Sequence, residues 1–418
     1  MKSHLSIEDV ARIRVGIPTE IFVASDIHLS ANATAASHNV EKEFSKRFVE
    51  LAKSDSAIVL LNGDIFELWA GTEPSIQKAL RAHTEFARSL KKFSEKSNHQ
   101  VVFVIGNHDG RLGWNQQEQE ILQQEFNATI CFSAELVIKS PKGERKILFE
   151  HGHMLDPDNA FEDPRDPHNK PFGQYIVQEA LPMVSQTQGK LLTGIEHLAE
   201  PHQFAKFVAS RLLYREIFTR LWWLLIPLVF TFILELLLGY GLVTIGGYSI
   251  DVVGRIVLYT EIAVVLNVVA TLTAIYFILQ RLLRRAKTMP GARAGVNHNS
   301  PARQKANDIC IANDYMGFVS GHTHQSEVSN VSNGFYANSG CGTELVVAAK
   351  TLAGLPKTYI SLNHLSWLEL KLTQTGCTIS LWQAVENNEK QTKLEKFVTK
   401  QKKIGQKLAV QKSVSVDY

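Results

Sequence analysis

The first third of the chain alternates between short apolar runs and longer segments whose apolar residues recur at helical spacing. The short runs predict buried strands, and the longer segments predict amphipathic helices. Strands and helices alternating at this spacing predict a parallel sheet covered by helices, and therefore an α/β fold. The predicted strands are Glu20–Ser25, Ala57–Gly63, Val101–Asn107 and Lys146–His153, and the predicted helices are Glu41–Lys53 and Ser75–Phe93. From Gly317 onward the pattern is again typical of β-structure.

Two long apolar segments interrupt this pattern in the middle of the chain. Leu221–Ile250 has one charged residue, Glu235, and Ile256–Gln280 also has one, Glu261. A membrane-spanning helix needs about 20 mostly apolar residues, so both segments are long enough to cross a bilayer. Buried core helices or a hydrophobic dimer interface would give the same pattern. We favour membrane segments, with both glutamates facing the interior of the helix pair or an interface.

Positive charges flank the two apolar segments, and the short loop between them carries little positive charge. By the positive-inside rule, both outer ends then face the cytoplasm. This predicts a two-helix transmembrane hairpin with the rest of the chain on the cytoplasmic side. It leaves open whether the segments cross the bilayer or re-enter, and whether the hairpin pairs with a second copy. The flanking charges are Arg211, Arg215, Arg220, Arg281, Arg284, Arg285 and Lys287.

The composition of the chain bears on its binding partners and on its cellular compartment. Lys and Arg number 44 against 41 Asp and Glu, and the net charge of +3 predicts no nucleic-acid partner. The four cysteines form no CxxC pair, which argues against a zinc knuckle or a disulfide framework and favours a reducing compartment. The first residues contain acids and no apolar core, so they do not predict a secretory signal.

Ligand-type side chains lie at the end of each predicted strand or just after it. Because the carboxyl ends of parallel strands form the binding edge of an α/β sheet, we expect these side chains to meet there. Carboxylate, imidazole and carboxamide groups suit Mn, Fe, Zn or Co, and their number suits two ions bridged by one carboxylate. Glycines before three of them allow tight turns. The residues are Asp26 and His28, Asp64, Asn107, His108 and Asp109, His151 and His153, and finally His322 and His324 in FVSGHTHQ.

The motifs DIH, GDIFE, GNHD, HGH and GHTH, in this order, resemble the calcineurin-like metallophosphoesterases from about Ile21 to Thr343. The resemblance implies an αββα sandwich, here with the transmembrane hairpin inserted, and two divalent ions, Mn, Fe or Zn. The implied metal ligands are Asp26, His28 and His324 for one ion, Asn107, His151 and His322 for the other, and Asp64 as the bridge. His108 would be the catalytic histidine that is not a ligand, oriented by Asp109, and His153 would lie outside the ligand set.

The resemblance and the apolar segments together predict five regions. Residues 17–154 and 300–386 would form the two parts of the metallophosphoesterase domain, with a cap or linker at 155–220 and the hairpin at 221–285. Residues 387–418 would be a basic tail. It is interpreted either as an amphipathic helix on anionic lipid or as a solvated, partly disordered segment.

The predicted function is a membrane-anchored phosphoesterase that hydrolyses a phosphoester or pyrophosphate by attack of a metal-bridging hydroxide. The stretch GDIFELW is similar to a motif of the UDP-2,3-diacylglucosamine pyrophosphatases, which favours a lipid-linked substrate. This chain departs from that group at His108, where the group carries arginine, and in its hairpin. Two alternatives stay open: a tethered phosphoesterase acting on soluble nucleotides or phosphoproteins, and a membrane scaffold without catalysis.

Overall fold

The strands of the described residues belong to one continuous hydrogen-bonded sheet. This computed structural model describes residues 7–71, 73–180, 194–198, 203–217, 226, 229–230, 233, 250–286, 297–352, 355–388, 390–400 and 405–418. The strands are β1 (Glu8–Val15), β2 (Thr19–Ala24), β3 (Ala57–Asn62), β4 (His99–Val104), β5 (Thr129–Ser140), β6 (Gly143–Glu150), β7 (Gly317–Ser320), β8 (Glu327–Val331), β9 (Gly334–Asn338), β10 (Glu344–Ala349), β11 (Thr358–Leu372), β12 (Gly376–Asn388) and β13 (Gln406–Asp417).

The helices cluster in three parts of the described chain. Four lie between β2 and β5, four lie between β6 and β7, and one lies between β12 and β13. They are α1 (Ala35–Leu51), α2 (Ile76–Ala82), α3 (Thr84–Ser94), α4 (Gln116–Phe126), α5 (Phe172–Tyr175), α6 (Phe204–Arg211), α7 (Ile250–Ala286), α8 (Ser300–Ile311) and α9 (Lys393–Val398). A wider π-helical turn, Leu212–Ile217, continues α6.

The predicted strands are confirmed, and β2, β3 and β4 pair in parallel as expected. The order across the sheet is β13-β12-β11-β2-β3-β4-β5-β6-β7-β9-β8, with β1 on β5 and β10 on β11. Strand β5 begins beside the end of β4, where Val104 pairs with Cys131. Strand β6 then returns antiparallel to β5, where Ser133 pairs with Glu150. As a result β6 ends at the same edge as β4.

Apolar side chains form three layers around this sheet. The first layer packs between α1–α4 and one face of the sheet, and the second lies between two halves of the sheet itself. A third, smaller layer packs α8 against β6, β7 and β9. Buried members are Phe22, Phe44 and Phe103 in the first layer, Val23, Leu136, Phe149 and Leu370 in the second, and Ala306, Phe318 and Tyr336 in the third.

The single helix predicted over Ser75–Phe93 is wrong, because the structure has two helices that meet at His83. This residue has φ −119° and ψ 61°, outside the helical region. The carboxylate of Glu41, on α1, accepts hydrogen bonds from the backbone N–H groups of Glu85 and Phe86, at 2.7 and 3.2 Å. A side chain from another helix therefore caps the start of α3.

One helix in the described part of the chain is long and apolar enough to cross a membrane. It is α7, and 6% of its window Gly254–Thr271 is buried. A core helix of a soluble protein can have the same length and composition, but such a helix is mostly buried. The first predicted membrane segment, Leu221–Ile250, lies outside the described residues apart from single positions, so the structure does not show a hairpin.

The predicted basic tail folds, in part, onto the sheet. Gln406–Asp417 forms strand β13, which pairs antiparallel with β12 from Asp417 opposite Gly376. Lys393–Val398 forms the short helix α9, which begins with a capping box of Thr392 and Glu395. The prediction of a disordered tail is therefore wrong for both segments, and the prediction of a helix is wrong for Gln406–Asp417. Within β13, Val414 is buried and Val416 is half-buried.

Two of the arginines that precede the first apolar segment have a buried partner. Glu395, on α9, is fully buried and accepts from Arg211 Nη1 at 2.9 Å and from Arg215 Nε at 3.0 Å. The hydroxyl of Tyr214 donates to the carbonyl of Pro356 at 2.6 Å. The segment that leads toward the apolar region is therefore fastened to the C-terminal part of the sheet domain.

Candidate metal centre

The loops after β2, β3 and β7 are joined by backbone hydrogen bonds at one edge of the sheet. Asp26 N donates to Gly63 O at 3.0 Å, and His28 N donates to Asp64 O at 3.1 Å. The backbone N–H of His322 donates to Asp26 Oδ2 at 2.9 Å. These contacts bring ligand-type side chains from distant parts of the sequence into one small volume, as the sequence predicts.

Five of the predicted ligands have a left-handed backbone conformation. Non-glycine residues rarely adopt positive φ, and such strain persists where the surrounding structure enforces it, often at functional sites. Neighbouring glycines make room: a Cβ on Gly63 would lie 2.5 Å from the His151 ring, and one on Gly321 would lie 2.6 Å from Asp26 Oδ2. The five residues are Asp26 (φ 54°), His28 (47°), Asp64 (54°), His322 (69°) and His324 (58°).

The predicted ligands form two groups whose donor atoms lie within 4.8 Å of one another. The first group contains Asp26, His28 and His324, and the second contains Asp64, His151 and His322. A third overlapping group joins His28, Asp64 and His108. Asp64 links the two predicted ion positions, since its Oδ2 lies 3.1 Å from His151 Nε2 and its neighbour Asp26 Oδ1 lies 3.9 Å from the same nitrogen.

The donor atoms of these groups fit divalent cations. Buried polar atoms normally have hydrogen-bond partners, yet several buried donor-type atoms here have none. They belong to carboxylate, imidazole and carboxamide groups, the types that bind Mn, Fe and Zn. Asn107 shares this property with the carboxylates and histidines, which supports its predicted place in the ligand set. The atoms are Asp26 Oδ1, both ring nitrogens of His28, Asn107 Oδ1 and His151 Nε2.

The histidines of the site lower the pKa values of two of its carboxylates. Burial raises the pKa of Asp64, but His151, His108 and His28 outweigh it and hold the pKa well below its usual value. Burial likewise raises the pKa of Asp26, which His151 and His324 lower to below its usual value. Both carboxylates are therefore ionised at neutral pH and ready to accept cations.

Glu67, not the predicted Asp109, orients His108. His108 Nδ1 donates to Glu67 Oε2 at 2.8 Å, and the imidazole stacks on Trp69 with 4.0 Å between ring centroids. Glu67 Oε2 also lies 3.3 Å from His28 Nδ1. Burial lowers the pKa of His108, but the carboxylates of Glu67 and Asp64 raise it to about 9. The sequence analysis missed Glu67 and Trp69, although both lie in GDIFELW.

Asp109 has a structural role beside the site. Its Oδ1 accepts from Gly106 N at 2.7 Å and its Oδ2 accepts from Ile65 N at 2.8 Å. The first bond lies within the loop after β4, and the second ties this loop to the loop after β3. Burial and the nearby Asp64 carboxylate raise the pKa of Asp109 to about 7. The expectation that Asp109 contacts the His108 ring is therefore wrong.

The histidines of the second group donate their other ring nitrogen to fixed acceptors. His151 Nδ1 donates to the carbonyl of Asn62 at 2.9 Å, which leaves Nε2 for a cation. His322 Nε2 donates to Asp156 Oδ2 at 3.0 Å, which leaves Nδ1. Such outer contacts set the tautomer and ring orientation of metal-binding histidines. His153 is buried beside His151 and lies in none of the three groups, as expected.

Comparison with known proteins relates this site to one family. Residues 19–215 match the family described as Calcineurin-like phosphoesterase. Two curated relatives are UDP-2,3-diacylglucosamine hydrolases, from Shewanella sp. (strain MR-4) and Shewanella baltica (strain OS155 / ATCC BAA-1091). Each is 34% identical over 88 residues, which is 21% of this chain and 32% of the relative. The chain therefore spans about a third of the length of the curated relatives it matches.

Solved structures show a weaker likeness. Vps29 of Chaetomium thermophilum aligns over 95% of this chain and 96% of its own, with 10% identity and a TM-score of 0.33. Phosphopantetheinyl hydrolase of Mycobacterium tuberculosis aligns over 78% of this chain and 92% of its own, with 12% identity and a TM-score of 0.28. Likeness at these TM-scores bears on neither fold nor function.

The sequence match and the Asp/His groups lead to the same family. The match covers the loops that carry Asp26, Asp64, Asn107 and His151. The donor set of the site and the two hydrolase relatives support a metal-dependent phosphoester hydrolase. Residues 19–215, slightly less than half of this chain, match the Calcineurin-like phosphoesterase family, and in this part the chain is similar to the metallophosphoesterases.

Proposed function

We propose that this chain is a membrane-anchored phosphoesterase that uses two divalent cations to hydrolyse a lipid-linked phosphoester or pyrophosphate. The observation that carries the proposal is the pair of donor groups, Asp26–His28–His324 and Asp64–His151–His322, which the overlapping group of His28, Asp64 and His108 connects. Asp26, His28 and His324 would hold one cation, and Asn107, His151 and His322 the other. When bound, two such cations supply an activated water and positive charge beside the phosphoryl oxygens.

The residues around the cations have separate tasks. Asp64 lies between the two groups and holds them together. His108, kept in place by Glu67 and Trp69, presents an imidazolium N–H to the phosphoryl oxygens or to the leaving oxygen. Asp109 joins the loops after β3 and β4 through its contact with the backbone N–H of Ile65.

Two features support a lipid-linked substrate at a membrane. The relatives that match part of this chain are named for a substrate with two acyl groups and a nucleotide. Helix α7 is apolar over a bilayer-spanning length and largely exposed. Its polar residues Thr260 and Asn267 donate to carbonyls four residues earlier, as polar side chains do in apolar surroundings. We propose that α7 and the preceding apolar segment anchor the catalytic edge near the lipid surface, on its cytoplasmic side.

Hydrolysis by detergent-purified protein with added Mn²⁺ tests the proposal. The substrates are bis(p-nitrophenyl) phosphate, p-nitrophenyl phosphate, a nucleoside-diphosphate lipid and a phosphatidyl phosphate. We expect selective turnover of a lipid substrate, which Asp64→Ala abolishes. Asp55→Ala, at the other end of β3, is the matched control and should keep full activity. Turnover of the soluble esters alone would contradict the lipid assignment, and no turnover of any substrate would favour a scaffold.

A further inference from the structure

The loop of residues 321–324, which carries His322 and His324, is held from two sides by one long stretch of chain. We call residues 155–299, between β6 and α8, the insertion. Asp156 lies at its start and Asn299 at its end, and both contact this loop through side-chain hydrogen bonds. The two residues are 143 positions apart in sequence, yet they meet at the same ligand loop.

Asp156 presents a fixed carboxylate to His322. Its Oδ2 accepts from His322 Nε2 at 3.0 Å and from Asn159 Nδ2 at 2.8 Å. Its Oδ1 accepts from the backbone N–H of Asp158 at 3.1 Å. The turn therefore holds a carboxylate acceptor against the imidazole.

Asn299 braces the backbone between the two histidines. It is buried, and its Oδ1 accepts from the Thr323 hydroxyl at 2.6 Å. Its Nδ2 donates to the carbonyl of Gln325 at 2.9 Å and to Glu327 Oε2 at 3.0 Å. The residues on either side of Thr323 both have positive φ, a conformation that needs support from its surroundings.

We propose that the two ends of the insertion position the metal ligands of the 321–324 loop. Asp156 fixes the tautomer and orientation of His322, and Asn299 fixes the strained backbone around Thr323. Both are positioning residues, since neither belongs to the donor groups. The inference rests on the proposed function, because it assumes that His322 and His324 bind cations. It makes metal affinity depend on the chain that leads to and from the apolar region.

Calorimetric titration of Mn²⁺ into the full-length, detergent-purified protein tests this inference. For Asp156→Ala we expect about 10- to 100-fold weaker binding of one cation, the usual loss when an outer partner of a ligand histidine is removed. Asp156→Asn keeps a hydrogen-bond acceptor but removes the negative charge, so its Mn²⁺ affinity should fall by less than that of Asp156→Ala. Asn299→Ala should weaken the binding of the same cation. Asp158→Ala, with an exposed side chain on the same turn, is the control and should match wild type.

Each outcome separates this inference from the proposed function. Wild-type protein that binds no Mn²⁺ would overturn both. Wild-type binding of two ions with unchanged affinity in Asp156→Ala and Asn299→Ala would overturn the inference alone. Thermal unfolding without metal reports whether each variant folds. If Asp156→Ala does not fold, the near-isosteric Asp156→Asn decides, and affinity equal to wild type in that variant contradicts the inference.

Discussion

The carboxylate of Glu67 lies between two imidazoles with different tasks. It accepts from His108 at 2.8 Å and lies 3.3 Å from Nδ1 of His28, a predicted metal ligand. Burial raises the pKa of Glu67, and the two histidines lower it to below its usual value, so the group is ionised. One side chain thus connects the proposed cation site to His108, the residue proposed to face the substrate.

Glu67→Gln should lower kcat by about 10- to 100-fold, as expected when an outer partner of a site histidine is weakened. Loss of the carboxylate also removes a charge that raises the pKa of His108. His108 then gives up its proton at a lower pH, so the alkaline limb of the kcat profile should move to lower pH.

Steady-state kinetics across the pH range measure both effects. Glu73→Gln, an exposed glutamate on the loop after β3, is the matched control and should leave kcat and its pH profile unchanged. An unchanged alkaline limb in Glu67→Gln would show that Glu67 does not set the protonation of His108.

At this scale the sequence predicts residue types better than contacts. Asp26, Asp64 and the GHTH histidines follow from their positions after strands, because parallel strands bring their ends together. Glu67 lies three residues after Asp64, and its rotamer decides which histidine it meets. Asp109 is adjacent to His108 in sequence, but its carboxylate turns away to two backbone N–H groups. Spacing alone does not determine such directions.

At the scale of elements, one side chain determines where a helix begins. Glu41 on α1 accepts the backbone N–H groups of Glu85 and Phe86 and so starts α3 after the break at His83. The apolar spacing runs on through this break, which is why the sequence predicts a single helix. A cap supplied from a different helix has no signature in the local pattern.

Glu41→Ala should lower the free energy of unfolding by about 0.5–2 kcal/mol, the usual cost of losing a helix N-cap. Two backbone donors at the start of α3 lose their acceptor, and one of them belongs to the buried Phe86. Guanidinium unfolding followed by tryptophan fluorescence measures the change.

Glu43→Ala is the control, since Glu43 on the same helix pairs with the exposed Lys46 at 2.8 Å. Surface pairs of this kind contribute about 0–1 kcal/mol. Equal midpoints for the two variants would show that the Glu41 contacts do not stabilise α3. Mn²⁺ affinity should be unchanged in both.

At the scale of the whole molecule, a buried ionic contact joins the sheet domain to the segment that precedes the apolar region. The sequence predicts Arg211 and Arg215 as charges that flank a membrane segment. In the structure both contact Glu395, which is fully buried on α9. The sequence could not predict this partner, because α9 and β13 lie in a segment whose composition suits a lipid-bound helix and a solvated tail equally.

Glu395→Gln should lower the free energy of unfolding by about 3–5 kcal/mol, because it leaves the buried Arg211 without its counter-ion. Guanidinium unfolding in detergent measures the change. Glu125→Gln removes an exposed partner of Lys91 and should cost less than about 1 kcal/mol. A shift for Glu395→Gln no larger than for this control would mean that the contact does not stabilise the folded chain.

The order of the strands has a consequence for synthesis. Strands β2 to β6 are synthesised early, and the strands that pair with both edges of this partial sheet are synthesised later. β11 covers β2 and β7 covers β6, and both follow the apolar region in sequence. Unpaired edges are templates for aggregation, so the nascent sheet needs protection until residue 372 has been made. His324 also follows the apolar region in sequence, so the proposed cation site of Asp26, His28 and His324 is complete only after that region has been synthesised.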